Sequence, residues 1–112
     1  FVFDCRALPN PGRFAEYKKL TGQDAEVQDY LNKYKDVNDF LELTHSLIFQ
    51  SVGNYLERNF KNLFVNYGCT GGQHRSVFFA EKMAHALREK YPQIKVVLNH
   101  IAQNKHYVYE NE

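Results

Sequence analysis

The residues best suited to chemistry lie in one run, Gly68-Cys69-Thr70-Gly71-Gly72-Gln73-His74-Arg75-Ser76. It follows an apolar, strand-forming stretch and leads into a helical stripe. Such a turn leaves backbone N–H groups without intrahelical acceptors, with the positive end of the helix dipole behind them, so an anion is its natural guest. Gly71 and Gly72 permit close backbone approach and positive φ. Thr70 and Ser76 offer hydroxyls, Arg75 a planar fork matching two phosphate oxygens, and His74 one further donor. In parallel α/β sheets ligands sit beyond the carboxyl ends of the strands, so Arg6, at the end of the first strand, and Asn10, in the loop after it, are second-tier candidates for the same crevice. The run therefore predicts a phosphate-bearing ligand held by Thr70, Gly71, Gly72, Gln73, His74, Arg75 and Ser76, with Arg6 and Asn10 as outer contacts. The bland reading, a tight strand-to-helix turn with solvated side chains, leaves all these donor types converging by accident.

The elements that must position this loop follow from periodicity. Residues 1–6 are apolar and β-favouring, and Leu8-Pro9-Asn10-Pro11-Gly12 ends that strand because two prolines and a glycine cannot continue a ladder. Residues 13–24 read as irregular, closing at Thr21-Gly22, with a short helix from Glu26 to Tyr34. Val37, Phe40, Leu41, Thr44, Leu47, Ile48, Ser51, Val52 and Tyr55 recur at three- and four-residue steps, which predicts a helix over 37–58. A strand over 62–67 feeds the glycine-rich run. The next helix spans 73–91, burying Val77, Ala80, Ala84, Leu87 and Tyr91, and Pro92 ends it. Residues 94–98 form a near-continuous apolar strand, as expected where both faces are covered. The order predicts an α/β fold, a small two- or three-layer arrangement with a three-to-four-stranded, mostly parallel sheet, right-handed crossovers and flanking helices.

With 112 residues, 44% of them hydrophobic, the chain suits a single domain. Fourteen Lys and Arg against thirteen Asp and Glu give a net charge of +1, so anion recognition has to be local. No apolar run approaches a membrane span of about 20 residues, and no secretory signal opens the chain, so a cytoplasmic domain is expected. The opening on Phe1 without Met suggests a piece of a longer polypeptide. Cys5 and Cys69 read as reduced thiols, Cys5 as a small core residue. His45, His85, His100 and His106 lack metal-ligand spacing, so no metal is expected. Phe78, Phe79, Tyr55 and Tyr67 fit core packing better than base stacking, and the scattered Lys and Arg pairs fit solvated faces.

Cys69, five residues, then Arg75 and Ser76 also match the Cys-x5-Arg-Ser cradle of protein tyrosine phosphatases. There a lowered thiol pKa gives a nucleophilic thiolate, and an Asp protonates the leaving oxygen. Asp4, Asp24 and Asp36 are the available acids, and spacing selects none. Gly68 stands where those phosphatases usually carry His. A Walker loop fits less well, because Arg75 and His74 occupy the positions of its Lys and last Gly.

Gly68–Val77 followed by Phe79-Ala80-Glu81, together with Asp4, Arg6, Leu8–Pro11, Leu20-Thr21-Gly22 and Asp24, resembles the C-terminal domain of the RapZ/YvcJ family, bacterial RNase adapter and nucleotide-binding proteins. The two segments lie in the same order and at family-like separation, so the resemblance covers nearly the whole chain. The resemblance implies binding and signalling without catalysis: a phosphosugar or nucleotide in the glycine loop, no cofactor in this domain, and small RNA as a partner in the RNase adapter branch. It also implies an upstream P-loop domain, the source of ATP-binding names, and leaves an oligomer open. Three departures stand out. Gln73 replaces a common Lys, Gly12 replaces a bulky residue, and the tail from Lys105 ends acidic where RNA-binding relatives are basic, which reduces the RNA expectation.

Overall fold

The computed structural model describes residues 1–110, so the end of the acidic tail, Asn111 and Glu112, lies outside the described residues. Strand β1 (Val2–Asp4) opens the chain, and two single 3-10 turns follow at Pro11–Arg13 and Ala15–Tyr17. Helices α1 (Ala25–Asn32) and α2 (Lys35–Arg58) come next, then β2 (Asn66–Gly68), α3 (Arg75–Lys90), β3 (Val96–His100), a further 3-10 turn and β4 (Lys105–Tyr109). Mixed helix and strand is thus the architecture. No described helix is long and apolar enough to cross a membrane.

The strands pair as two two-stranded sheets instead of the single parallel sheet of three or four expected. β1 and β2 are parallel, in the register Val2 to Asn66, Phe3 to Tyr67 and Asp4 to Gly68. β3 and β4 form an antiparallel hairpin. Its turn passes through Asn104 in the left-handed region at φ 53°, a conformation Asn tolerates better than most residues. A hairpin between sequence neighbours closes with little loop entropy, so β3 takes β4 as its partner. Between β2 and β3 lies a cleft of about 910 Å³ lined by Val65, Tyr67, Val77, Ala84 and Leu98 among others. β3 accordingly alternates: Val96, Leu98 and His100 point inward, while Val97 and Asn99 are exposed. Coverage of both faces, expected from the apolar run, is not what the fold provides.

Helix boundaries lie close to the periodic stripes. α2 starts two residues before the expected 37 and ends at Asn59, whose φ of 60° is a left-handed cap. Its inner face buries Val37, Thr44, Ile48 and Val52. α3 buries Val77, Phe78, Phe79, Met83, Ala84 and Leu87, and also the first-turn polar residues Arg75 and Ser76. Two apolar clusters result, one around Ile48, Met83, Leu87 and Leu98, the other around Cys5, Leu31, Val37, Phe78 and Phe79. Tyr67 packs against both. Phe78, Phe79 and Tyr67 are therefore core aromatics, with Tyr67 stacked on Phe79 at 5.7 Å and its hydroxyl 3.0 Å from Thr44 Oγ1.

Candidate functional site

The short β1–β2 ladder delivers Cys69 to the entrance of α3, and residues 69–74 fold over that entrance. Gly72 takes φ +64°, and a Cβ there would stand 2.8 Å from the Ala102 methyl, so both backbone and space demand glycine. Gly71 and Thr70 are exposed. Among the described residues, the N–H groups of Thr70, Gly71, Gln73 and His74 meet no acceptor. Those of Gly72 and Ser76 turn toward the Cys69 sulfur, Ser76 N at 3.5 Å.

Cys69 Sγ also shares a 3.3 Å hydrogen bond with Ser76 Oγ. Burial by itself would raise this thiol's pKa. Hydrogen bonds from the Ser76 hydroxyl, the Ser76 and Gly72 amides, and the Arg75 charge outweigh it and leave the pKa below the ordinary value.

Arg75 is buried and anchored. Its Nη1 donates to the carbonyls of Cys5 (3.3 Å), Arg6 (2.7 Å) and Leu8 (3.0 Å), fastening the chain after β1 to the start of α3. The buried Nε has no partner. The guanidinium therefore supplies charge from beneath the loop, and much of its fork is committed to backbone. Gln73 and His74 are turned the same way. Gln73 Nε2 donates to the carbonyls of Lys18 (2.6 Å) and Leu20 (2.8 Å), and His74 Nε2, facing the Tyr17 carbonyl at 2.8 Å, must carry its proton there. Gly22 makes this clasp possible, for a Cβ there would lie 2.3 Å from both His74 O and Phe78 N.

Arg6 sits at the exposed rim, paired with Asp4 through Nη2 at 2.8 Å and Nε at 3.0 Å. That pairing pulls the Asp4 pKa down to about 2, the Arg6 side-chain hydrogen bonds being the largest cause. Asn10 accepts from Gly12 N–H at 2.9 Å and starts the first 3-10 turn, and its carboxamide oxygen lies beside the space a Gly12 Cβ would take, close to His74. The expected residues thus divide. Thr70, Gly71 and Gly72 line the open loop, Cys69, Arg75 and Ser76 form its floor, Arg6 the rim, and Gln73, His74 and Asn10 the scaffold.

One cluster of polar side chains has no motif in the sequence. His100 Nε2 lies 2.8 Å from Glu81 Oε1, and Gln23 Nε2 bridges Glu81 Oε1 (2.8 Å) and Tyr107 Oη (3.2 Å). Lys105 Nζ donates to Gln23 Oε1 at 2.6 Å. The alternation in Lys105-His106-Tyr107-Val108-Tyr109 was its available signal, since it marks a strand.

Fold and loop together define an α/β domain whose parallel strand pair empties through a glycine-rich turn onto a helix N-terminus. The RapZ C-terminal domain model matches residues 1–104, and this chain belongs to that family. A nucleotide-binding protein of Acidobacterium capsulatum is 40% identical over 94 residues, covering 84% of this chain and 31% of the relative. Others from Fervidobacterium nodosum and Pasteurella multocida are 39% and 37% identical, covering 89% and 94% of this chain and 35% and 36% of theirs. The chain spans about a third of the length of these relatives.

Proposed function

We propose that the domain is a regulatory module that binds a phosphate-bearing ligand, a phosphosugar or a nucleotide, in the loop 69–76. The observation carrying this reading is the set of unpartnered amides over the α3 entrance, above a buried guanidinium whose Nε has no acceptor. The nucleotide-binding names of relatives support the ligand class. Thr70, Gly71 and Gly72 would contact the phosphate, Arg75 would supply charge, and Arg6 would exchange part of its Asp4 pairing for the ligand. Association with an upstream nucleotide domain, a cytoplasmic setting and small-RNA contact belong to the same proposal. The RNA part has the least support here, because Gln73 faces inward and adds no charge to the surface.

Titrating inorganic phosphate, glucose 6-phosphate and ATP against 15N-labelled protein tests it. Saturable shifts of the Gly71 and Gly72 amides, lost in Arg75→Gln, are expected. Unmoved loop amides at millimolar levels of all three would refute the reading.

Cysteine-dependent phosphatase chemistry is the second reading, favoured by the lowered Cys69 pKa. Against it, Asp4 stays ionised at neutral pH and is bound to Arg6, so it holds no proton for a leaving oxygen. Turnover of an aryl phosphate that disappears in Cys69→Ser would establish it.

A further inference from the structure

Cys5 and Cys69 are both free thiols, and the parallel ladder sets them side by side. The last register pair is Asp4 with Gly68, and the next ladder bond runs from Cys5 N–H to the Gly68 carbonyl at 2.7 Å. In a parallel pair a residue donates to the carbonyl one before its opposite number, so Cys69 stands directly across from Cys5. Residues in register share a face, and both side chains pack in the cluster around Phe78 and Phe79. Neighbouring strands lie about 4.8 Å apart, inside the Cα separation of about 4.4–6.8 Å that a disulfide spans.

The two sulfurs have different chemistry. Cys69 is half-buried, reachable by a small oxidant, and accepts hydrogen bonds that stabilise its thiolate. Cys5 is fully buried, and burial pushes its thiol up to about 12, with the Cys69 charge adding to the rise. One is built to react first. The other is held within reach as a neutral thiol.

We propose that Cys69 is an oxidation site for peroxide-class oxidants and that Cys5 resolves the product to an intrachain disulfide across β1 and β2. The Cys69 thiolate attacks one oxygen of hydrogen peroxide. An S–O bond forms as the O–O bond breaks, and the departing hydroxide takes up the proton released when the thiol ionised, giving water and a sulfenic acid. The Cys5 sulfur then attacks the Cys69 sulfur. The S–S bond forms, the S–O bond breaks, and the leaving hydroxide takes the Cys5 proton as a second water. Two thiols lose two hydrogens, and one peroxide becomes two waters. Because Cys5 ionises with difficulty, the second step is the slower one and the sulfenic acid accumulates first. Bridging also turns the Cys69 sulfur away from the Ser76 and Gly72 donors, changing the amides available to an anion. That last consequence alone rests on the anion-binding reading.

The test is intact-mass and thiol analysis of the reduced chain after exposure to hydrogen peroxide. Monomer lacking two hydrogens, with no alkylatable thiol and full recovery by dithiothreitol, is expected, preceded by a dimedone-reactive species at Cys69. Cys5→Ala, its fold checked by circular dichroism, should stop at the dimedone-reactive stage. Cys69→Ala should leave Cys5 untouched at the same dose. Two persisting thiols in the parent, over-oxidation of Cys69 with Cys5 intact, or only intermolecular bridges would each overturn the proposal. Comparing phosphate titrations of the reduced and bridged forms reads the consequence separately, so failure of anion binding leaves the thiol result standing.

Discussion

Gly71 and Gly72 adjoin in the sequence yet meet different physical demands. A methyl at Gly72 would meet the Ala102 methyl at 2.8 Å from a backbone at φ +64°, whereas one at Gly71 meets nothing within 4 Å. Gly72→Ala should cost about 2 kcal/mol in urea unfolding, from left-handed strain plus overpacking. Gly71→Ala should stay within about 0.5 kcal/mol. Equal losses would show that the loop relaxes away from the 3-10 turn that carries Ala102. Asp4 makes a pH prediction at the same scale. Its folded pKa, about 2, lies below the ordinary 3.8, so the unfolded chain binds more protons in between. The stability contributed by the Arg6 pair is complete above about 4 and is lost as the pH falls through 2. The stability gap between the parent and Asp4→Asn, measured by denaturant melts, should therefore narrow on acidification and be constant from pH 5 to 7.

At the scale of elements, α3 is the member to which others are tied. Arg75 fastens the segment after β1, the Gln73–His74 pair fastens residues 17–20, and Glu81 fastens the β3–β4 hairpin through His100. The His100 side chain is nearly inaccessible, so removing Glu81 leaves a buried imidazole nitrogen without its partner. Glu81→Ala should cost about 2 kcal/mol and raise amide exchange in β3 and β4 before β1 and β2. Uniform acceleration over the whole chain would mean that the hairpin is not held separately. Arg88 stacks over the Tyr109 ring at 3.8 Å as a second tie.

For the whole molecule, α2, 24 residues and so about 36 Å long, runs past both apolar clusters, giving Val37 to one and Ile48 and Val52 to the other. Tyr67 joins them. Circular dichroism and tyrosine fluorescence should accordingly report one unfolding midpoint, as for a two-state domain. Tyr67→Ala should lower stability by about 4 kcal/mol and separate the two midpoints, while Tyr67→Phe, which loses only the bond to Thr44, should keep them together. Coincident midpoints in Tyr67→Ala would contradict the joining role.

The helices and the loop were legible from Phe1 to Lys90 because their signals are local: three- and four-residue periodicity, Pro92 as a stop, and glycines at a strand-to-helix turn. The same chain order made β1 and β2 parallel before any contact was known. Strand partnership beyond that pair was not legible. Residues 105–109 read as a tail, and 94–98 as a strand covered on both faces, because sequence marks a strand without naming which edge it takes. The orientation of Arg75, Gln73 and His74 was hidden for a related reason. Their types suit a phosphate or a backbone carbonyl equally, and only the approach of residues 5–8 and 17–20 over the α3 entrance decides which acceptor each donor meets.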